Sequence, residues 1–288
     1  MEGKIAKRSR AYTLGMYEKA APAQLSWKEK LQAAKEAGYD FIEISIDETD
    51  EKLSRLDMGK EERLDLVKTM YETGIPIRSM CLSGHRKYPF GSKDPETVQK
   101  SMEIMEKAIQ LADDLGIRMI MLAGYDVYYE ESDEETRKRF GENLEKAVKM
   151  AARSGILLAF ETMETDFMNT VEKSADYVKQ IRSPYLQIYP DIGNITNAAY
   201  TYKTDVFDDL RTGSGHLLAM HLKETSPGKF RDMMYGDGYV DFQQAIDTAW
   251  NLGIRRYVTE FWYHGSEKWK EDLVFAHDSM ARILDKER

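Results

Sequence analysis

The sequence predicts an α/β protein built as a single-domain (β/α)₈ TIM barrel, and three observations support that fold class. Short β-rich runs alternate with longer amphipathic segments eight times along the chain, without a break in composition. Several helical segments end at a glycine that leads into the next β-rich run. The length of 288 residues suits one barrel, since such barrels take roughly 250 residues.

The predicted strands are short runs rich in β-branched and aromatic side chains. They cover residues 12–17, 41–46, 77–82, 119–123, 157–162, 186–191, 218–223 and 257–262. Segments such as 94–115 and 134–153 have the apolar spacing of amphipathic helices. Glycine turns follow five helices, in EAGYD, ETGIP, DLGIR, RSGIL and NLGIR. A doubly wound sheet is the alternative, but no G-x-G-x-x-G follows the first strand. Residues 1–10 are expected to form a loosely ordered tail.

Charge and composition exclude several classes of function. Charged residues make up 32% of the chain, yet the net charge is −9, the wrong sign for gripping a phosphate backbone. We therefore expect no nucleic-acid partner. No apolar run approaches a membrane span of roughly 18 residues, and no signal core follows the basic start MEGKIAKRSR, so no membrane partner is expected. The single cysteine, Cys81, is expected to be a packed thiol in a cytoplasmic protein.

Polar residues mark the ends of four consecutive predicted strands: Glu161, Asp191, His221 and Glu260. Each has an ordinary structural explanation, such as a helix cap, an Asx-turn, a pair with Arg255, or a core histidine. Together, however, three carboxylates at the mouth of an apolar barrel would repel one another and lose hydration. A divalent cation offsets that cost. The pattern therefore predicts a metal site of three oxygens and one imidazole nitrogen.

The seventh strand adds a cation to this site. His221 and Lys223 are two residues apart, so a strand directs both side chains to one face. Lys223 either reaches over the metal site toward a substrate oxyanion or phosphate, or forms a salt bridge with a neighbouring carboxylate. The sequence leaves both roles open.

Longer motifs around these residues resemble a known family. They are LGMYEKA, FIEISIDETDEKLSRLD, SMCLSGHRKYPFGS, LAGYDVYY, YPDIGN, HLKET and TEFW, spread over nearly the whole chain. In them the chain resembles the xylose-isomerase-like TIM barrels, and among these the L-ribulose-5-phosphate 3-epimerases, also called L-xylulose-5-phosphate 3-epimerases. The resemblance implies an isomerase that interconverts L-ribulose 5-phosphate and L-xylulose 5-phosphate. It also implies a place in pentose phosphate metabolism and L-ascorbate catabolism.

The resemblance also implies roles for the strand-end residues. Glu161, Asp191, His221 and Glu260 would bind one divalent metal ion, with Glu161 and Glu260 doubling as the acid–base pair. The ion would polarise the C2 carbonyl, so that one glutamate removes the C3 proton and the other returns a proton to the opposite face of a cis-enediolate. Zn²⁺ is the expected ion, and Mn²⁺, Co²⁺ and Mg²⁺ are alternatives because the ligand set suits all of them.

Residues beside the metal ligands are candidates for binding the sugar. Related barrels that epimerise unphosphorylated ketoses usually carry a histidine three positions after the metal-binding aspartate and an arginine shortly after the metal-binding histidine. Here Asn194 takes the first place, and no arginine follows His221 before Arg231. This weakens a free-sugar assignment and makes Lys223 the candidate to stabilise the enediolate. Glu43, in the middle of the second strand, is expected to face the pocket and bond a sugar hydroxyl.

The substrate phosphate needs cations or backbone N–H groups. His85 and Arg86, in the loop after the third strand, are expected to bind it, whereas Lys87 is more simply an exposed charge. The glycines of YGDGYVDF, Gly236 and Gly238, are an alternative.

Other functions remain open on this scaffold. A 1,2-aldose–ketose isomerase of a phosphorylated sugar, or an epimerase of an unphosphorylated ketose, would share the metal and both glutamates. A metal-dependent endonuclease of the same superfamily needs a basic face, which the net charge of −9 disfavours. A catalytically inactive sugar-binding protein would differ in lacking turnover. A homodimer is expected from barrel enzymes in general.

Overall fold

The protein, as a computed structural model, is a (β/α)₈ barrel, so the predicted fold class is confirmed. The structure describes residues 10–286, and the predicted tail lies outside them except for Arg10. The eight strands are β1 (Thr13–Tyr17), β2 (Phe41–Ile46), β3 (Ile77–Leu82), β4 (Met119–Ala123), β5 (Leu157–Glu161), β6 (Leu186–Tyr189), β7 (Met220–Leu222) and β8 (Arg256–Thr259).

Helices surround the strands. They are α1 (Trp27–Ala37), α2 (Asp50–Ser54), α3 (Lys60–Thr73), α4 (Pro95–Leu115), α5 (Glu134–Arg153), α6 (Val171–Ile181), α7 (Ile192–Tyr202), α8 (Val206–Thr212), α9 (Phe242–Asn251) and α10 (Trp269–Leu284). The predicted helices 94–115 and 134–153 are α4 and α5, with Asp94 as the N-cap of α4. Among residues 10–286, no helix is long and apolar enough to cross a membrane.

The strands are parallel and follow their sequence order around the barrel. Each strand pairs with its neighbour from β1 to β6, and β8 pairs with both β7 and β1. Isolated bridges, Ile188 to Leu217 and Asp191 to His221, connect the β6 and β7 sides and close the ring. This closure brings the residues after β6 beside β7, where two of the predicted metal ligands lie.

All eight predicted strands are present, but the last four end earlier than expected. The predicted strand 186–191, for example, ends at Tyr189, because Asp191 keeps only an isolated bridge to His221 and becomes the N-cap of α7. Its carboxylate accepts a hydrogen bond of 2.7 Å from the Asn194 backbone N–H. The polar residues therefore stand just at or beyond the strand ends, at the C-terminal face of the barrel.

The glycine turns that follow the helices have the predicted conformation. Gly116 caps α4 with φ at +74°, a left-handed conformation that other residues adopt only at a cost. Its N–H bonds the carbonyl oxygens of Ala112 and Asp113. The other four glycines also have positive φ: Gly38, Gly74, Gly155 and Gly253.

Apolar side chains fill the barrel interior as well as the layer between strands and helices. The interior cluster includes Phe41, Met121, Ala159 and Val258. Cys81 belongs to the same cluster, as expected for a packed thiol, and burial followed by the nearby carboxylates raises its pKa. The polar site therefore lies next to a cluster of buried apolar side chains in the barrel interior.

Buried charges beside the first strand fix the loops of that side. Glu18 is fully buried and accepts hydrogen bonds from Lys30 and Lys52 at 2.9 Å each and from Arg55 at 2.7 Å. It also accepts the Ser45 N–H of β2 at 2.9 Å. One carboxylate thus ties the turn after β1 to α1, α2, β2 and the 3₁₀ turn that carries Arg55. Burial alone would raise the pKa of Glu18, but the cations outweigh it and hold that pKa well below its usual range.

Replacing Glu18 should destabilise the fold strongly at neutral pH. Glu18→Gln leaves buried cations without their counter-charge, so we expect the free energy of unfolding to fall by about 3–5 kcal/mol. The folded-state pKa lies below that of an unfolded glutamate, about 4.3. The stabilisation is therefore fully present above that pH and is lost as the pH falls below it. Urea unfolding at pH 7 and at decreasing acidic pH measures both effects.

The control is Asp65→Asn, which removes an exposed ion pair with Lys68. That variant should unfold close to the wild-type urea midpoint, since exposed pairs contribute little. A Glu18→Gln midpoint at pH 7 equal to that of the control would contradict the stabilising role of the cluster.

Candidate metal and catalytic site

The four predicted metal ligands meet at the C-terminal face of the barrel. One ligand atom from each of Glu161, Asp191, His221 and Glu260 lies within 4.8 Å of every other. All four residues are buried. They come from β5, the end of β6, β7 and the end of β8, so the two glutamates flank the Asp191–His221 pair.

The imidazole of His221 is at the centre of this group. Its Nδ1 is 3.0 Å from Glu161 Oε1, 2.9 Å from Glu260 Oε2 and 3.9 Å from Asp191 Oδ2. Its Nε2 faces the other way and is 2.6 Å from Glu43 Oε1. Because Nδ1 carries at most one proton or one metal bond, it cannot satisfy three carboxylates by hydrogen bonding alone.

Burial and neighbouring charges together shift the pKa of three residues of this group, His221, Asp191 and Glu260. Burial alone would lower the pKa of His221, but Glu260 and Glu43 reverse this and raise it well above its usual value. Burial raises the pKa of Asp191 to about 7, with Lys223 opposing the shift. Burial also acts to raise the pKa of Glu260, but Lys223 and His221 lower it overall. The site holds more negative charge than its own cations balance.

The residues present fit a divalent metal ion. Asp191 Oδ2 and Glu260 Oε2 are buried and lack an aligned hydrogen bond, although each lies within 3 Å of a nitrogen, at 2.8 Å from Lys223 Nζ and 2.9 Å from His221 Nδ1. Carboxylate oxygens with one imidazole nitrogen form a ligand set that Zn²⁺, Mn²⁺, Co²⁺ and Mg²⁺ accept. A metal would use the oxygen atoms that the protein leaves without aligned donors.

Lys223 extends over this group from the same strand as His221. Its Nζ lies 2.8 Å from Asp191 Oδ2, 2.9 Å from Asn194 Oδ1 and 3.9 Å from Glu260 Oε2. Asn194 in turn donates to the Thr162 carbonyl oxygen at 2.7 Å. Burial acts to lower the pKa of Lys223, but the carboxylates raise it overall, so the side chain is a fixed cation. Both roles left open by the sequence are therefore available, since the salt bridge forms at the edge of the cavity.

A cavity lined by Glu161, Glu260 and Lys223 adjoins the four candidate ligands and brings further cations to the site. Arg86 lines it, with the guanidinium 5.5 and 4.9 Å from the ring centres of Tyr125 and Tyr128. The guanidinium donates to the Tyr125 hydroxyl at 3.3 Å, while its buried Nε has no hydrogen-bond partner among the described residues. Lys19 lines the same cavity and pairs with Asp47 at 2.5 Å. A guanidinium that lines the cavity suits an anionic group of a ligand.

His85 does not reach this cavity, contrary to the expectation from its neighbour Arg86. It is buried against the ring of Phe90, with ring centres 4.4 Å apart, and its Nε2 donates to the Ser101 carbonyl oxygen at 3.1 Å. Burial lowers its pKa to about 4, so the ring is neutral at physiological pH. A neutral, already bonded imidazole away from the cavity does not support a phosphate contact.

Glu43 faces the barrel interior beneath His221 rather than the cavity. It is completely buried, and its second oxygen accepts from the Tyr189 hydroxyl at 3.1 Å. The expected bond to a sugar hydroxyl is therefore not supported by this geometry. Glu43 instead contacts Nε2 of His221, on the side of the ring opposite the other three candidate ligands.

The alternative phosphate site, the glycine loop of YGDGYVDF, is not free either, because a backbone N–H of this loop already bonds a side chain of the protein. The Gly238 N–H donates to Glu224 Oε1 at 2.8 Å, and a Cβ at Gly238 would overlap the Thr225 carbonyl oxygen. This glycine is needed for close packing of the loop rather than for a ligand.

Several cavity residues were not among the predicted site residues: Tyr17, Lys19, Met163, Arg231 and Trp262. Tyr17 and Lys19 lie in LGMYEKA and Trp262 in TEFW, directly at the ends of β1 and β8. Their position at the barrel rim is the feature of the sequence that could identify them as cavity residues. Their residue types alone do not indicate that they bind a ligand.

Comparisons with known proteins agree with this geometry. Residues 31–278 match the family model described as xylose isomerase-like TIM barrel. The chain is 45% identical over 271 residues to L-ribulose-5-phosphate 3-epimerase UlaE of Escherichia coli, which covers 94% of each protein.

Solved structures share the fold at lower sequence identity. D-psicose 3-epimerase with D-tagatose from Clostridium cellulolyticum matches with a TM-score of 0.79 at 16% identity, over 94% of this chain and 99% of that one. A structure of L-ribulose 3-epimerase matches with a TM-score of 0.76 at 17% identity, over 96% of each chain. These likenesses support the fold.

Proposed function

This chain belongs to the xylose isomerase-like TIM barrel family and resembles its L-ribulose-5-phosphate 3-epimerases over most of its length, and from that premise we propose its reaction. It is an isomerase that interconverts L-ribulose 5-phosphate and L-xylulose 5-phosphate by inverting C3. The observation that carries the proposal is the pair of buried glutamates, Glu161 and Glu260, on either side of one potential metal position.

Inverting C3 requires one group to remove the C3 proton and another to return a proton from the opposite face. Glu161 and Glu260 extend from β5 and from the end of β8, with β6 and β7 between them. The substrate would lie over the Asp191–His221 side with a carboxylate on each flank. Glu260, whose pKa lies below its usual value, is ionised at neutral pH, as an accepting base must be.

The C3 proton of a ketose is too weakly acidic for an unaided carboxylate. A divalent ion held by Glu161, Asp191, His221 and Glu260 would supply Lewis-acid polarisation of the carbonyl. We propose Zn²⁺ as the native ion, with Mn²⁺, Co²⁺ and Mg²⁺ as alternatives.

Lys223 and Asn194 are proposed to hold the oxyanion that develops during proton removal. The lysine is buried, protonated and fixed between Asp191 and Asn194, so its charge is preorganised. It would provide the positive charge close to His221, since no arginine follows that residue before Arg231.

Arg86 is proposed to bind the substrate phosphate, with Lys19 beside the same cavity. The arginine lines the cavity, and its guanidinium lies beside two tyrosine rings that contact each other. A planar guanidinium matches two phosphate oxygens.

A homodimer, a cytoplasmic location and a role in L-ascorbate catabolism stay predictions.

The position of solvent label tests the reaction. In deuterated water, the enzyme should incorporate deuterium at C3 of L-ribulose 5-phosphate and L-xylulose 5-phosphate, because the enediolate exchanges the proton it has lost. NMR of the sugar phosphates at equilibrium measures this. Label at C1 in place of C3 would identify an aldose–ketose isomerase.

Single glutamate variants test the two-base arrangement. Glu161→Gln and Glu260→Gln should each slow epimerisation by more than about 100-fold. Each variant that elemental analysis shows to hold metal should still exchange the C3 proton of one epimer, and the two variants should favour opposite epimers. Exchange of the same epimer by both variants would contradict a base on each face.

Arg86→Ala should weaken recognition of the phosphate. Loss of a charge-assisted contact worth about 1.5–3 kcal/mol lowers kcat/KM for L-ribulose 5-phosphate by roughly 10- to 100-fold, mainly through KM. Inorganic phosphate should also become a weaker competitive inhibitor. Lys87→Ala is the control, because this adjacent lysine is exposed and faces Asp50 at 3.7 Å. Equal kinetics in the two variants would remove Arg86 from the phosphate site.

A further inference from the structure

Glu43 is a carboxylate buried in the middle of the barrel, where an unpaired charge is costly. It lies on β2 and is completely shielded from solvent. Among the described residues, its side-chain partners are the imidazole of His221 at 2.6 Å and the hydroxyl of Tyr189 at 3.1 Å. No lysine or arginine forms an ion pair with it in the described part of the chain. The mechanism of C3 inversion does not by itself require this group.

The contact with Glu43 decides which nitrogen of His221 carries the proton. A carboxylate accepts hydrogen bonds, so Nε2 is the protonated nitrogen. Nδ1, which faces Glu161 and Glu260, is then the nitrogen that would lose its proton on metal binding and offer its lone pair to the ion. With the proton on Nδ1 instead, a lone pair on Nε2 would face the Glu43 oxygen at 2.6 Å, and Nδ1 would be unable to bind a cation.

Neighbouring side chains keep the carboxylate and the imidazole in this alignment. The Tyr189 ring packs edge-on against the His221 ring, with ring centres 4.7 Å apart. The Tyr189 hydroxyl holds the second oxygen of Glu43. The three residues connect β6, β2 and β7 through the barrel interior, so the orientation of the imidazole is set by strands rather than by the rim loops.

We propose that Glu43 is the positioning residue of the metal centre, fixing His221 with its proton on Nε2 and Nδ1 directed at the ion. Its negative charge also makes the ring a stronger donor to the metal. Glu43 touches neither the cavity nor the other ligands, so it acts through His221. This inference rests on the proposed function in its requirement for a divalent ion.

Metal binding without substrate tests the proposal. The apparent dissociation constant for Zn²⁺ is measured by chelator competition on the full-length wild type, Glu43→Gln and Glu43→Ala. We expect Glu43→Ala to bind about 10- to 100-fold more weakly. Glu43→Gln should fall between them, because its amide oxygen still accepts from Nε2 without the charge.

Asp126→Asn is the matched control. Asp126 is also buried and accepts hydroxyl hydrogen bonds from Ser132 at 2.7 Å and Thr136 at 2.6 Å, away from the four ligands. This variant should bind Zn²⁺ like the wild type. Equal affinity in Glu43→Ala and Asp126→Asn would overturn the role of Glu43. A wild type that binds no divalent ion would instead overturn the proposed metal-dependent function.

The protonated nitrogen of His221 can also be identified by NMR in the wild type. This measurement needs no Glu43 variant, so it does not depend on whether such a variant folds. The chain has five histidines, so ¹⁵N-labelled histidine in the Zn²⁺-loaded wild type gives an assignable spectrum. Two-bond proton–nitrogen correlations should show His221 protonated at Nε2 and metal-bound at Nδ1. Protonation at Nδ1 with Nε2 bound to the metal would overturn the inference.

Discussion

The imidazole of His221 lies between carboxylates on both of its nitrogens, and this arrangement constrains the rest of the site. Glu161, Asp191 and Glu260 surround Nδ1, while Glu43 binds Nε2. Four buried carboxylates face one imidazole and one lysine, so the site is short of positive charge. A divalent ion offsets that deficit, and the same ion would make a ketose proton acidic enough for a glutamate to remove.

The barrel supplies the precision that this site needs. Glu161 and His221 lie within β5 and β7, whereas Asp191 and Glu260 follow the last residues of β6 and β8, and one ligand atom from each of the four lies close to those of the other three. Lys223 and Asn194 line the cavity next to these residues, and Arg86 lines the same cavity beside two tyrosine rings. The candidate metal ligands thus lie at strand ends, whereas the proposed phosphate contact of Arg86 lies in a loop, the part of a fold that varies most between related proteins.

The sequence predicts more of the strand-end chemistry than of the loop chemistry. The residue pattern of the strands and the glycine turns predict the positions of all eight strands. Because the strands are parallel, the polar residues near the ends of the last four lie together at the C-terminal face of the barrel. The expectation that His85 reaches the cavity fails because His85 lies in the 3₁₀ turn Ser83–Arg86, where successive side chains point about 120° apart. Arg86 therefore reaches the cavity while His85 enters the core. For Glu43, the alternation of side chains along β2 predicts that the side chain points into the barrel, but not how far it lies from the barrel mouth. The pairing of β2 with β3 also shifts register between Ile42 and Glu43, which the sequence does not reveal.

Anomalous diffraction from crystals of the Mn²⁺-loaded protein tests the central claim most directly. The account predicts one strong peak bonded to Glu161, Asp191, Glu260 and Nδ1 of His221, with ligand distances near 2.0–2.3 Å as for similar ions. Lys223 should then point toward the substrate cavity. A peak outside these four residues, or a peak bonded to Nε2 of His221, would contradict the account.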